Sequence, residues 1–452
     1  MEFILEPQCE IPVLCDVDVC VIGGGCTGVF AAVRAARLGA KVALIERQNA
    51  LGGVATGGLV NVWHSFYDLD CKTQIIAGLS QEVVDRLKQA DAIDCHDKTG
   101  NPSSAYRFNP HELKIELDGL IKESSIQLYL HSFYISAIQE GRRVQAVIVG
   151  TKEGKRAVKA KFFIDASGDG DLARDLGIPS YTHDTIQPPT ACFFMQGAVS
   201  GKELGDIVRS HGEAFGLDDD FGWGGIVPGV SGITMRADSH VFGGILNRAA
   251  DLTWAELEGR RKMRAFTAML KQYGSGGHTY ALVDTCAQIG IRETVHFKTR
   301  FMATMQDLLT GRRYDTAVLN GTYRVDIHHS TDGGITFHYL DGKSVTTYGK
   351  GSRVEEGNWR KDAGLDDNYA RFYQAPFEIL VCEAYDNFIP VGRMLHADEG
   401  AFGALRVMVN LNQLGEAAGV AAYLCLQEGT GIGAVDGRRV QTLLKSGGSA
   451  IQ

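Results

Sequence analysis

Two periodicities organise the chain. Asp16 to Gly25 reads DVDVCVIGGG, an apolar run over Val17–Ile22 that ends in three glycines, as a buried strand does on entering a tight turn. Val29 to Leu38 then spaces small and apolar residues at the helical period, and Gly39 stops it. Lys41 to Glu46 (KVALIE) reads as a second strand. Strand, glycine turn, helix, strand and acid make one βαβ unit. Asn49 to Asn61 has neither period but carries Gly52, Gly53, Gly57 and Gly58, so it reads as a loop that approaches something closely. Helices are expected over Gly78–Ala90 and Pro110–Ser124, the second entered through Asn109-Pro110. Strands are expected over Gln127–Gly141, Arg142–Gly150 and Ala160–Asp165, and a helix begins at Leu172.

After Ile178 the pattern changes, with Pro188-Pro189 as a junction. Strand-like stretches at Cys192–Ala198 and Val241–Leu246 alternate with helical ones at Thr253–Tyr273 and Arg300–Thr310. A short strand at Asn387–Pro390, a loop over Gly392–Gly403 and a long small-residue helix over Leu405–Glu428 close the chain. The division read from this is 1–177, 178–370 and 371–452. The first and last segments form one unit around an inserted α+β substrate domain.

Gly23, Gly25 and Gly28 form a GxGxxG at the end of a strand and the start of a helix. In that place the first glycine turns the chain, the second lets backbone approach a pyrophosphate, and the third lets helix pack on strand. Glu46 follows 18 residues after Gly28, near the spacing expected of an acid that binds ribose hydroxyls. The unit sits at the N-terminus, the glycine loop Leu51–Gly58 follows at once, and a late strand with an acidic loop, Phe162–Asp171, closes the sheet. An NAD dehydrogenase needs none of these in this arrangement, which favours FAD.

The segments that carry this reading are Val21–Gly28, Glu46 with its glycine loop, FIDASGDGDLA at 163–173 and GIRET at 290–294. NFIPVGRMLHADEGAFGALRVM at 387–408 and GEAAGVAA at 415–422 complete them. Together they resemble the two-dinucleotide-binding-domain flavoproteins, FAD-dependent oxidoreductases of the fumarate-reductase-like type. The resemblance covers nearly the whole chain. It implies an α/β fold with a Rossmann-like FAD-binding domain of glutathione-reductase type. It also implies a cofactor path along Gly23, Gly25, Gly28, Glu46 and Arg47, then Gly52, Gly53 and Thr56. The path continues along Ala166, Gly168 and Asp169, then Gly392 and Arg393, and ends at Arg406, Val407 and Met408 where the long helix begins.

Four residues are candidates for chemistry. His64, just past the glycine loop, suits acid–base work or substrate binding, against the reading of an ordinary loop histidine. Arg292 suits a bidentate grip on a substrate carboxylate, against a structural ion pair. His396 and Glu399 stand where related proteins often carry a serine and then a histidine, a departure that weakens transfer of any known substrate. Asp326, His328 and His329 form a polar cluster with Asp326 and His328 on one strand face, but no third metal ligand is apparent nearby, and no metal is expected.

Composition narrows the rest. Lys+Arg total 45 and Asp+Glu 54, a net charge of −9, with no basic tail, which argues against a nucleic-acid partner. The stretches Arg260-Arg261-Lys262 and Gly311-Arg312-Arg313 read as solvated helix surface. No apolar run of membrane-spanning length occurs, and Met1–Pro12 lacks the pattern of a signal peptide. The ten cysteines contain no CxxC pair and read as free thiols of a reducing cytoplasm. The expectation is a cytoplasmic FAD-dependent oxidoreductase exchanging hydride with a small polar substrate, with an unnamed electron partner and room for a homo-oligomer. A flavin-dependent monooxygenase, a tRNA-modifying flavoprotein and a sensor flavoprotein are the rival classes. Glycine occurs 55 times in 452 residues, about 12% against a usual ~7%. Eleven of these glycines fall on the cofactor path and its loops.

Overall fold

The structure is a computed structural model and describes residues 2–95, 105–217, 222–330, 333–349 and 353–452. Its main sheet starts where the apolar runs start. β1 (Val13–Ile22) turns through glycines into α1 (Cys26–Arg37), and β2 (Val42–Ile45) lies parallel beside β1 with all four residues buried. β3 (Gln127–Tyr129) extends the sheet beyond β2, and the long β4 (Gly154–Asp165) lies parallel on the other side of β1. β5 (Phe388–Pro390) returns from far along the chain and pairs in parallel with the end of β4. The parallel order is therefore β3-β2-β1-β4-β5. The first half of β4 instead pairs antiparallel with Arg143–Thr151, which pairs with Phe133–Glu140, making seven strands in all. The chain is a mixed α/β protein with a parallel-strand sheet.

The helix after β5 is divided. α2 (Glu399–Leu405) is capped by Asp398, whose carboxylate accepts from Ala401 N–H, and α3 (Met408–Glu428) begins afresh after Arg406-Val407. α3 is buried on nearly every face and lies against α1. Its small residues allow this. A Cβ on Gly415 would stand 2.2 Å from the Thr27 carbonyl oxygen, and one on Gly419 2.3 Å from that of Ala31. Deep between the two helices, Arg34 Nε donates to Glu416 Oε2 at 3.0 Å, and Glu416 Oε1 accepts from Leu79 N–H at 3.0 Å. Burial raises the Glu416 pKa even with that guanidinium beside it.

Residues between 178 and 370 contribute two four-stranded antiparallel sheets among those described. One comprises Gly224–Ile226, Ile233–Arg236, Phe193–Gln196 and Ala281–Thr285, with helix Ala249–Tyr273 packed around a core of Phe193, Met195, Phe266 and Tyr280. The other is a meander of Val325–His328, Ile335–His338, Lys343–Tyr348 and Arg353–Asn358. Ala303, Leu308, Val318 and Val325, from the same stretch, pack in the core that holds α1 and α3.

Several expected elements differ, each for a local reason. Val241–Leu246 forms no strand, because Gly243 and Gly244 take φ of 101° and 82° and break the extended run. The loop expected over Gly392–Gly403 contains α2, because Asp398 caps a helix start there, and the long helix expected from Leu405 begins instead at Met408, after Val407 takes an extended backbone. The helix expected from Arg300 begins at Met305, where Thr304 caps it by accepting from Asp307 N–H. The strand expected over Gln127–Gly141 is interrupted, with His131 at φ 52°. Lys262 is not solvated surface: it is buried, its Nζ donates to the His240 carbonyl at 2.7 Å, and it sits over the Phe242 ring. Arg313 lies past the end of its helix with its guanidinium over Phe372. Among the described residues no helix is long and apolar enough to cross a membrane, and the nine cysteines whose side chains are described are free.

Replacing Gly415 or Gly419 by alanine drives a Cβ into the backbone of α1. Each substitution is expected to lower the urea midpoint by the equivalent of about 1–3 kcal/mol. Gly201→Ala, at the open first turn of a helix with no atom within 4 Å of the added Cβ, is expected to leave it unchanged. Equal midpoints for all three variants would contradict this packing.

Candidate functional site

The turn after β1 brings three glycine loops to backbone contact. Gly23 has φ 101°, and a Cβ there would stand 2.3 Å from the Ala166 carbonyl oxygen. Gly25 bridges Gly52, the N–H of Gly52 donates to Gly24 O at 2.8 Å, and a Cβ on Gly53 would come within 3.1 Å of Gly25 Cα. Gly28 faces the turn itself, a Cβ there falling 1.9 Å from Gly23 O. Glu46, at the end of β2, ties the turn together: its Oε2 accepts from Gly24 N–H at 2.5 Å and its Oε1 from Gln48 N–H at 2.6 Å.

These loops line one side of a cavity of about 770 Å³, a size suited to a small-molecule or cofactor site. Of the residues proposed for the cofactor path, all but Gly28, Thr56 and Asp169 line it. Those three act behind the wall. Thr56 donates its hydroxyl to Leu51 O, and Asp169 accepts from Arg393 and from Thr294 Oγ1. Gly392, at φ 117° with no atom within 4 Å of an added Cβ, opens the wall beside Arg393.

The cavity offers a long polyanionic ligand unmet polar groups. α1 and α3 both begin at it, and neither carries a side-chain cap or an acid in its first turn, so both positive helix ends face it unopposed. Arg393 Nε, Arg406 Nε and Asn412 Oδ1 are buried at its wall without a hydrogen-bond partner. A dinucleotide fits such a set, its phosphates and ring carbonyls meeting the two guanidinium N–H donors and a ring N–H meeting the Asn412 oxygen.

The opposite end is basic. Arg292, Arg324 and Arg406 line it with His64, His240 and His328, against Asp326 as the one carboxylate there among the described residues. The Arg292 guanidinium donates to Pro188 O at 2.6 Å, to Thr190 Oγ1 and, at 3.1 Å, to His240 Nε2. A guanidinium only donates, so His240 Nε2 is the acceptor in that contact. Asp326 lies 3.3 Å from Arg406 and 3.4 Å from His328, and it accepts from the Tyr323 hydroxyl. The His64 ring lies over Tyr323 with centroids 4.0 Å apart. Although deep in the protein, His64 keeps some surface because it faces the cavity. Burial, reinforced by Arg324 and Arg406 and opposed by Asp326, lowers its pKa to about 3. Burial together with Arg292, His240 and Arg406 lowers His328 well below its ordinary value.

Two candidates lie elsewhere. His396 and Glu399 are not at the cavity. His396 Nδ1 meets Thr299 N and O at 3.2 and 3.1 Å, and Glu399 opens α2 beside His183. The start of α2 at Glu399 turns these two side chains away and brings Arg406, Val407 and Met408 in. Asp326 and His328 share the strand face that their spacing implied, and both reach the cavity. His240, Tyr323, Arg324 and Asn412 carried no sequence signal of their own: each arrives through long-range packing.

The sequence profile of the FAD dependent oxidoreductase family matches residues 18–444. Thiamine thiazole synthase of Desulfosudis oleivorans is 56% identical over 43 residues, 10% of this chain and 17% of that protein. Dihydrolipoyl dehydrogenase of Trypanosoma brucei brucei is 38% identical over 64 residues, 13% of each chain. This chain thus spans less than a fifth of either curated relative. A geranylgeranyl bacteriochlorophyll reductase-like structure from Thermoplasma acidophilum aligns over 95% of this chain and 83% of its own, at 13% identity and a TM-score of 0.47. The p-nitrophenol 4-monooxygenase of Pseudomonas putida aligns over 95% and 86%, at 11% identity and a TM-score of 0.47. Likenesses at these scores carry no argument about activity.

His64 yields a test of the basic end. Its folded value of about 3 lies below the ~6.5 of a free histidine. Between the two, the unfolded chain binds the extra proton, so stability is full above the free value and falls as pH drops. Urea midpoints of the cofactor-free protein at pH 6.5, 5.5 and 4.5 are expected to fall more steeply for the wild type than for His64→Gln, by the equivalent of about one proton. Parallel lines would contradict the burial of a neutral His64.

Proposed function

Because the chain belongs to the FAD dependent oxidoreductase family, we propose that it exchanges hydride with a small carboxylate-bearing substrate held at the basic end of the cleft. The observation that carries this reading is the convergence of Arg292, Arg324 and Arg406 with the imidazoles of His64, His240 and His328 at an end of the cavity where Asp326 is the one carboxylate among the described residues. FAD, when bound, supplies the two-electron redox chemistry. The glycine turns at Gly23–Gly25 and Gly52–Gly53, with the open end of α1, would hold its pyrophosphate, and Glu46 its ribose. The open end of α3, with Arg406 and Asn412, would face the polar edge of its ring system.

Arg292 is the anchor for the substrate carboxylate, its planar fork already held by Pro188, Thr190 and His240. His64 and His328 are weak bases as they stand, which favours hydrogen bonding to substrate over proton abstraction. An anion seated against Arg292 and Arg406 offsets the charges that depress His328 and raises its proton affinity, so it takes up a proton when substrate is present. Tyr323, donating to Asp326, keeps that carboxylate turned toward Arg406 and His328. His396 and Glu399 take no part in this reading. The glutathione-reductase-type arrangement, with 1–177 and 371–452 as one FAD unit around 178–370, belongs to the same proposal. The parallel pairing of β5 with β4 supports it.

Difference spectra of the FAD-loaded protein test the substrate class. Succinate and benzoate are expected to perturb the flavin bands, while their neutral amides are not. Arg292→Met is expected to weaken the response by about tenfold or more, the loss of a bidentate charged contact. Amides acting as well as the acids, or an unaffected Arg292→Met variant, would overturn the proposal.

A further inference from the structure

Outside the cleft, His183, Glu293 and His296 meet in a buried cluster. Glu293 Oε1 lies 2.5 Å from His183 Nδ1 and 3.0 Å from His296 Nε2, and the three ligand atoms fall within 4.8 Å of one another. The outer nitrogen of each ring faces a backbone carbonyl: His183 Nε2 lies 3.0 Å from Ala397 O and His296 Nδ1 2.9 Å from Leu395 O. A carbonyl oxygen can only accept, so both outer nitrogens carry hydrogen. In the neutral rings, both inner nitrogens then aim lone pairs at a carboxylate oxygen. Three electron pairs then converge on one point, which either a proton on an inner nitrogen or a metal ion relieves. Tyr181, stacked on His296 at 5.2 Å, and Phe402, edge-on to it at 4.6 Å, fix the His296 ring. The second Glu293 oxygen accepts from Gln187 N–H at 2.9 Å.

We infer that this cluster is a site for a divalent metal ion of the zinc class, with His183 Nδ1, Glu293 and His296 Nε2 as its protein ligands. Two imidazoles and one carboxylate are a recognised ligand set for such an ion. Backbone carbonyls that fix the tautomer of each histidine are the support that metal-bound histidines characteristically have. The surroundings are also acidic, since Glu399 lies in the field of Glu293, Asp184 and Asp398. Ligand atoms around zinc, at bonds of about 2.0 Å, stand roughly 3.3 Å apart, so metal entry spreads the His183 contact by several tenths of an ångström. The ion would bind residues 183 and 293–296 to each other, against the segment 395–397 that leads from Arg393 at the cleft to α2. This site does not rest on the reading of the cleft.

The test uses the whole protein. Metal content is measured on the protein as purified. ZnCl2 is then titrated calorimetrically into chelator-treated protein, with thermal melting in parallel. The expected result is one equivalent of bound metal and a melting temperature raised by it. Both effects should be lost in Glu293→Gln and His296→Ala and kept in His278→Ala, a change at an exposed histidine. Where a buried substitution prevents folding, His183→Ala and the wild-type titration decide. No metal in the purified wild type and no response to ZnCl2 would overturn the inference and leave a proton-held cluster. Stoichiometric zinc binding that survives loss of His183 or His296 would overturn it equally.

Discussion

Backbone meeting backbone, with no side chain between, is the constraint on which the cleft depends. Two helix ends can face one ligand only if the loops ahead of them cross at main-chain distance. Gly23 against Ala166, and Gly25 against Gly52 and Gly53, provide that crossing at α1. Gly415 and Gly419 provide it again where α3 lies on the carbonyls of α1. The Arg34–Glu416 pair then locks the two helices in register deep inside. If α3 were held farther off, its open N-terminus would leave the cavity wall, and Arg406 and Asn412 with it.

The second determinant is charge. A chain with net charge −9 concentrates cationic side chains at one end of this cavity. There, low dielectric makes each of them count for more than it would on the surface. The same setting keeps His64 and His328 neutral. On the proposed reading, an anion seated against these arginines would raise the proton affinity of His328. The break between α2 and α3 serves this end too. By stopping one helix and starting another it aims Arg406 inward, toward Asp326.

What could be read from the sequence follows from how local its cause is. β1, α1, β2 and the glycine turns are set by neighbours a few residues apart, and their apolar periods and glycines announced them. Glu46 was legible because its spacing from Gly28 is a local consequence of one βαβ unit. The Asp326–His328 face was legible for the same reason, as a strand period. By contrast, His240 reaches the cavity because Arg292 and Lys262 hold it, the first 52 and the second 22 residues away. No window of sequence contains that arrangement. His396 and Glu399 lie off this cavity because the Asp398 cap makes Glu399 the first residue of a helix, a start that the irregular loop around it did not announce. The cluster of His183, Glu293 and His296 draws on residues 110 positions apart, and only the fold brings it together.

The central claim is that the glycine-lined end of the cleft is the seat of FAD, and Gly25 offers its most direct test. Gly25 has φ −61° and ψ 167°, a conformation open to any residue, and an added Cβ would meet no atom within 4 Å. A valine there projects into the cavity at the glycine turn, where its Cβ meets no protein atom. FAD titrated into cofactor-free wild-type protein should bind one per chain with a shifted flavin spectrum. Gly25→Val, melting at the same temperature as the cofactor-free wild type, should not bind it. A Gly25→Val protein that takes up FAD as tightly as the wild type would contradict the account.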